Sequence, residues 1–165
     1  MEYLYVGKIV NTHGIKGELR IRSNFDRKDL AFKPGVKLYF GDGKEEHKIV
    51  TYRPHKEFDM VTLEGYDNIN QVLMYLKMNV YVRKDEIGLK DDEYVIDELV
   101  GMNVLEENRL LGKVDEIVYN NGNVLLHVVG DKSFYIPNHS NFIISVDVLK
   151  GEVHVKNTEG LMLWK

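Results

Sequence analysis

The chain contains no cysteine, three prolines and a single tryptophan. Without cysteine there are no disulfides, no thiolate catalysis and no cysteine-ligated zinc. Long apolar runs are missing too. The segment Phe142 to Val146, FIISV, is typical of the short ones present, and none approaches the roughly 20 residues that a membrane helix needs. Met1 to Val10 carries charge and no long apolar core, so no signal peptide and no membrane partner are expected, and a cytoplasmic protein is the simplest expectation. What is present is a globular composition: 165 residues, 44% hydrophobic and 29% charged, enough for one ordinary domain or two small ones.

The net charge of −4 hides an asymmetry. Residues 1–90 hold 16 Lys+Arg against 13 Asp+Glu, a net of +3, whereas residues 91–165 hold 6 against 13, a net of −7. A basic front and an acidic back suit two different partners, nucleic acid for one and a basic protein for the other. Chance drift of surface charge gives the same numbers.

β-signals dominate the pattern. Tyr3 to Val10 and Glu18 to Arg22 read as paired strands, followed by Val36 to Phe40, Lys48 to Arg53, Met60 to Leu63 and Val80 to Val82. Asn68 to Leu76 is the helix candidate: Ile69, Val72, Leu73 and Leu76 fall at helical spacing, and Asp67 or Asn68 is placed to cap it. Lys84 to Glu93 has seven charged residues in ten and reads as a linker. Beyond it, strands are expected at Met102 to Leu105, Leu110 to Tyr119, Val124 to Val129, Ser133 to Ile136, Phe142 to Val146 and Glu152 to Val155. Gly112 marks a bulge or a close backbone approach. Asn120-Asn121-Gly122-Asn123 is the strongest turn signal, because Asn and Gly tolerate positive φ. The expected fold is all-β, two small barrels with one short helix in the first: residues 1–86, a linker at 87–93, and residues 94–165.

The segment VGKIVNTHGIKGELRI, Val6 to Ile21, carries most of the functional signal. It mixes Gly7, Gly14 and Gly17 with Lys8, His13, Lys16 and Arg20, and fits a glycine-rich hairpin with a basic tip. A phosphate loop of the Walker type needs two glycines four residues apart, then Lys and Ser or Thr opening a helix. Here Glu18 and a strand follow Gly17, so nucleotide hydrolysis is not expected. Lys8, Lys16, Arg20 and Arg22 can instead meet RNA phosphates. Arg53-Pro54-His55-Lys56 forms a second basic cluster, expected as a stiff loop because Pro54 fixes its own φ and holds Arg53 extended. The six histidines lack close metal-ligand spacing, and no metal or cofactor is expected. Tyr94, beside the acidic run Asp91 to Glu93, either anchors a basic partner or belongs to the second core.

At these residues the chain resembles the RimM family, bacterial ribosome maturation factors for the small subunit. VGKIVNTHGIKGELRI resembles the family's opening signature, Arg53 to Lys56 its following basic loop, and Tyr94 to Gly101, YVIDELVG, the start of its second domain. Leu111-Gly112-Lys113-Val114, Ile136-Pro137 and Glu159-Gly160-Leu161 fit later landmarks. The resemblance implies a six-stranded translation-protein-type barrel followed by a PRC-barrel. It also implies a monomer that binds the small-subunit precursor through ribosomal protein nineteen of the head and assists maturation of 16S rRNA without catalysis. Contacts to rRNA or ribosome would fall to Lys8, His13, Gly14, Lys16, Gly17, Arg20, Arg22, Arg53, His55 and Lys56, and contacts to protein to Tyr94, Glu98 and Leu99. The chain departs from the family at the domain junction, where paired tyrosines become Tyr94-Val95 and Asp-Leu becomes Glu98-Leu99. It departs again after the central turn, where Val124 follows Asn123 directly. Two other readings remain: a small-barrel enzyme acting on RNA or a nucleotide, and a PRC-type protein-interaction module without RNA contact.

Overall fold

In the computed structural model of the chain, residues 2–162 are described, and they divide into two compact units, residues 1–90 and 91–165. In the first unit, β1 (Tyr3–His13), β2 (Glu18–Arg22), β3 (Lys37–Phe40), β4 (Glu45–His55), β5 (Phe58–Leu63) and β6 (Asn79–Arg83) close into an antiparallel barrel in the order β1-β2-β5-β4-β3-β6. Alternation builds its interior. Leu4 and Val6, Leu19 and Ile21, Val61 and Leu63, and Val80 and Val82 are all buried on its inner side, and Met60, of the opposite parity on β5, is buried as well. Irregularities in β1 between Tyr5 and Gly7 and between Ile9 and Asn11 bend the strand so that it can pair with both β6 and β2. A Cβ at Gly7 would lie 2.5 Å from the Arg22 carbonyl oxygen, so this crossing requires glycine.

Two helical turns complete the unit. α1 (Lys28–Ala31) has no side-chain cap, and it is pinned by Lys28 Nζ, 2.8 Å from the buried carboxylate of Asp59, which also accepts from the Tyr52 hydroxyl at 2.6 Å. α2 (Ile69–Val72) starts where expected, with Asn68 Oδ1 accepting from the Asn70 N–H at 2.8 Å. It tightens into a 3-10 turn over Leu73–Tyr75. The tighter turn moves the buried face to Val72 and Tyr75, and Leu73, expected inside, is exposed. In the charged stretch read as a linker, Ile87 and Leu89 are buried.

The second unit strings β7 (Asn103–Glu106), β8 (Arg109–Asn120), β9 (Asn123–Val129) and β10 (Ser133–Pro137) into a meander. β11 (Ile143–Asp147) and β12 (Glu152–Val155) are added so that β12 runs parallel to β7, giving the order β10-β9-β8-β7-β12-β11. Asn121 (φ 50°) and Gly122 (φ 84°) make the two-residue turn between β8 and β9. Gly112 has both properties anticipated for it. The register shifts beside it, where Leu105 pairs with Leu110, and a Cβ there would run into the Val129 carbonyl. The core gathers Ile96, Leu99, Val104, Val114, Leu126, Val128, Phe134, Ile136 and Val153. α3 (Glu159–Met162) closes the described chain. Buried Thr158, which precedes it, gives its N–H and hydroxyl to Glu106 Oε1 at 3.1 and 2.5 Å.

Candidate nucleic-acid interface

The β1–β2 and β4–β5 hairpins lie side by side because β2 pairs antiparallel with β5, which sets the β1–β2 turn beyond the end of β5 and the β4–β5 turn beside the end of β2. Residues 14–17 form the first turn, with Gly14 and Gly17 at φ 69° and 87°. Gly17 is buried against the Asn68 backbone, and the Ile69 N–H donates to the Ile15 carbonyl at 2.9 Å. The turn is thereby locked to the start of α2, leaving Ile15 and Lys16 exposed at its tip. The second basic cluster is not the loop expected from sequence. Arg53, Pro54 and His55 are the last residues of β4 and pair with Met60, Asp59 and Phe58, so only Lys56 and Glu57 turn. Pro54 is tolerated because β3 pairs with β4 only as far as Lys48, which leaves this part of β4 an edge.

Pairing brings the two clusters together. Arg20 Nη2 donates to His13 Nδ1 at 2.9 Å, and the His13 and His55 rings are 5.8 Å apart. The guanidiniums of Arg20 and Arg22 lie over the Phe58 ring at 5.2 and 5.3 Å. Arg53 forms a two-pronged bond to Glu18, Nε and Nη2 donating at 2.9 and 2.8 Å. That bond holds the Glu18 carboxyl below its ordinary range and raises Arg53. His55 is pushed below its ordinary value, first by desolvation and then by the charges of Arg53, Lys56, His13 and Arg20. Lys16, Arg22 and Lys56 form no ion pair among the described residues. Lys8 lies further down β1, opposite Arg22. Arg53 is therefore already engaged, while Lys16, Arg22 and Lys56 are available to an anion. Phe58 and Glu18 are site residues that the sequence did not single out. Phe58 was signalled only by parity, since Val61 and Leu63 face the core and place Phe58 on the other side.

The second unit separates its candidates. Tyr94 is 37% exposed, as a docking aromatic requires. Glu98 accepts from the Val95 N–H at 2.9 Å, and Val95 is itself buried. Leu99 is 1% exposed within the core, so a partner does not touch it: the 3-10 turn Ile96–Leu99 points it inward alongside Ile96. Long-range pairing also gathers one set of potential metal donors among the described residues, Asp115, Glu116 and His127, within 4.8 Å of one another. The irregularity between Val114 and Glu116 brings consecutive carboxylates to the same histidine, and Asp115 already bonds His127 Nδ1 at 3.2 Å.

A closed barrel with cations gathered on two adjoining hairpins, followed in the same chain by a second six-stranded β unit, defines a two-domain all-β protein. Residues 4–87 match the pattern of the RimM N-terminal domain, and residues 96–161 that of the RimM PRC barrel domain. The chain is 36% identical to the ribosome maturation factor RimM of Exiguobacterium sp. over 168 residues, covering 98% of each. It is 37% identical to that of Streptococcus mutans with the same coverage. Among solved structures it is similar to the N-terminal domain of RimM from Thermus thermophilus at 20% identity, covering 52% of this chain and 94% of that one, with a TM-score of 0.44. The chain belongs to the RimM family, and its two units are that family's N-terminal and PRC barrel domains.

Proposed function

We propose that this protein is an assembly factor of the small (30S) ribosomal subunit. It binds the immature particle through ribosomal protein nineteen of the head and assists maturation of 16S rRNA as a cytoplasmic monomer, without catalysis. The cationic face of the first unit meets rRNA phosphates, with Lys16, Arg20, Arg22 and Lys56 leading and His13, His55 and Lys8 beside them. Gly14 and Gly17 shape the turn that presents Lys16, and Arg53 braces the site through Glu18. The acidic second unit docks the basic ribosomal protein, with Tyr94 as its exposed aromatic. The observation that carries this reading is the convergence of two basic segments, 35 residues apart at Glu18 and Arg53, around Phe58 on the outer face of two adjoining hairpins. The relatives' name, ribosome maturation factor, supports the same reading. No helix among the described residues is long and apolar enough to cross a membrane. Co-sedimentation of the full chain with immature and mature small subunits tests it. Selective retention on immature particles is expected, and equal or absent retention on both would refute an assembly role.

A further inference from the structure

The outer face of the first barrel carries tyrosines where a solvated sheet face ordinarily carries polar side chains. Tyr39 on β3 pairs with Tyr81 on β6, and Tyr81 pairs with Tyr5 on β1, so three tyrosines stand side by side across three strands. Tyr3 lies two residues before Tyr5 on the same face. The rings meet edge to face, Tyr5 with Tyr81 at 5.8 Å and Tyr3 with Tyr39 at 5.2 Å. Leu4, Val6, Val80 and Val82 fill the barrel from the opposite face, and of the four tyrosines Tyr39 is itself buried. Tyr3 is 37% exposed and Tyr5 45%.

Charge decides which partner fits. On the Tyr39 side, cations and carboxylates cancel: Lys37 lies between Glu46 and Glu86, Arg83 bonds Asp85, and the Tyr39 hydroxyl donates to Glu86 at 2.6 Å. On the Tyr5 side they do not. Lys44 holds its ammonium 4.2 Å from the Tyr81 ring centroid and 5.6 Å from that of Tyr3. Lys8 follows Tyr5 along the outer side of β1, opposite Arg22. Lys8, Arg22 and Lys44 form no ion pair among the described residues. Arg22 also lies over Phe58, so this face continues into the cationic cluster already described. Partly exposed aromatic rings beside cations without ion pairs match a chain that offers planar bases and phosphates together.

We propose that Tyr3, Tyr5 and Tyr81, with Lys44, Lys8 and Arg22, form a stacking platform for single-stranded RNA, contacting unpaired bases of the rRNA precursor. The proposal rests on the reading that the first unit faces rRNA, and it adds which state of the RNA is recognised. Base stacking on a tyrosine outweighs an exposed cation–ring contact, so Lys44 leaves Tyr81 for a phosphate as a base arrives.

The test uses the full chain, a labelled oligo(U) strand of about 12 nucleotides and an RNA duplex of similar length. Replacing Tyr3→Leu and Tyr5→Leu together keeps apolar side chains but removes the rings. Strand affinity should fall about tenfold with duplex affinity unchanged, and the paired Tyr→Phe variant should bind the strand as well as the parent does. Lys16→Ala with Arg20→Ala should weaken both ligands. Unchanged strand affinity in the leucine variant, in a protein that still binds immature small subunits, overturns the platform alone. Failure of the parent protein to bind strand, duplex and immature subunits overturns the underlying reading as well. Displacement of the strand by polyglutamate at equal charge, with no preference for RNA, would assign the face to an acidic protein partner and refute the proposal.

Discussion

The two units put charge to different uses. In the second unit, which carries the −7 side of the balance, carboxylates are committed to the fold: Glu98 holds the Val95 N–H, Glu106 holds both donors of Thr158, Asp97 accepts from the Tyr119 hydroxyl, and Asp147 accepts from the Lys150 N–H. In the first unit, Lys16, Arg22 and Lys56 answer no carboxylate among the described residues and belong to two adjoining hairpins. Net charge alone does not separate these cases. A charge marks a binding surface when it is not already the partner of something in its own fold.

Glycine shows the same contrast, and it gives the largest expected effect. A Cβ at Gly112 would strike the Val129 carbonyl, whereas one at Gly14 has open space around it. Gly112→Ala should destabilise the second unit by about 3 kcal/mol. Hydrogen exchange should report this as faster exchange in β8 and β9 with β1 and β2 unaffected. Equal acceleration in both units, or none, would show that the close approach is not structural.

A smaller effect is expected at Arg53, a cation of the interface whose fork is already occupied. Glu18→Gln should release Arg53 with little loss of stability, because Arg53 is 48% exposed and the pair is screened. Affinity for RNA should rise about threefold, since a freed guanidinium gains a phosphate. Unchanged or weaker binding would place Arg53 outside the interface.

The smallest effect concerns His55. Its value in the folded chain lies below the ordinary 6.5, so the unfolded chain takes up the proton first. Its contribution to stability is complete above about pH 6.5 and is lost as pH falls through that value towards the folded one. His55→Gln should therefore flatten the decline of the urea midpoint on acidification. An identical decline in both proteins would exclude His55 as a source.

Strand positions within each unit were legible where side chains alternate and where a turn demands a particular backbone. Asn121-Gly122 and Gly112 belong to that class, since positive φ and a missing Cβ are properties of the residue itself. The last residues of β4 were not legible, because a proline and two basic side chains carry no apolar period. β4 holds them through its pairing with β5 at an otherwise free edge. α1 was equally hidden: one turn, no side-chain cap, and an anchor at Asp59 thirty-one residues along the chain from Lys28. The basic residues of the interface could be named from sequence. Their division into engaged and available could not, because it depends on the Glu18–Arg53 pair and on Phe58, both fixed by strand register. Leu99 marks the reverse case: an apolar residue in an acidic segment invited a surface role, and the 3-10 turn buries it.

Contact between RNA and the exposed cations of the first unit is the central claim. The direct measurement is the salt dependence of binding to immature small subunits for the full chain and for Lys16→Ala with Arg20→Ala. Loss of two phosphate contacts should lower affinity and flatten the slope of log affinity against log salt by about 1.5 to 2. Equal affinity and an equal slope in the two proteins would contradict it.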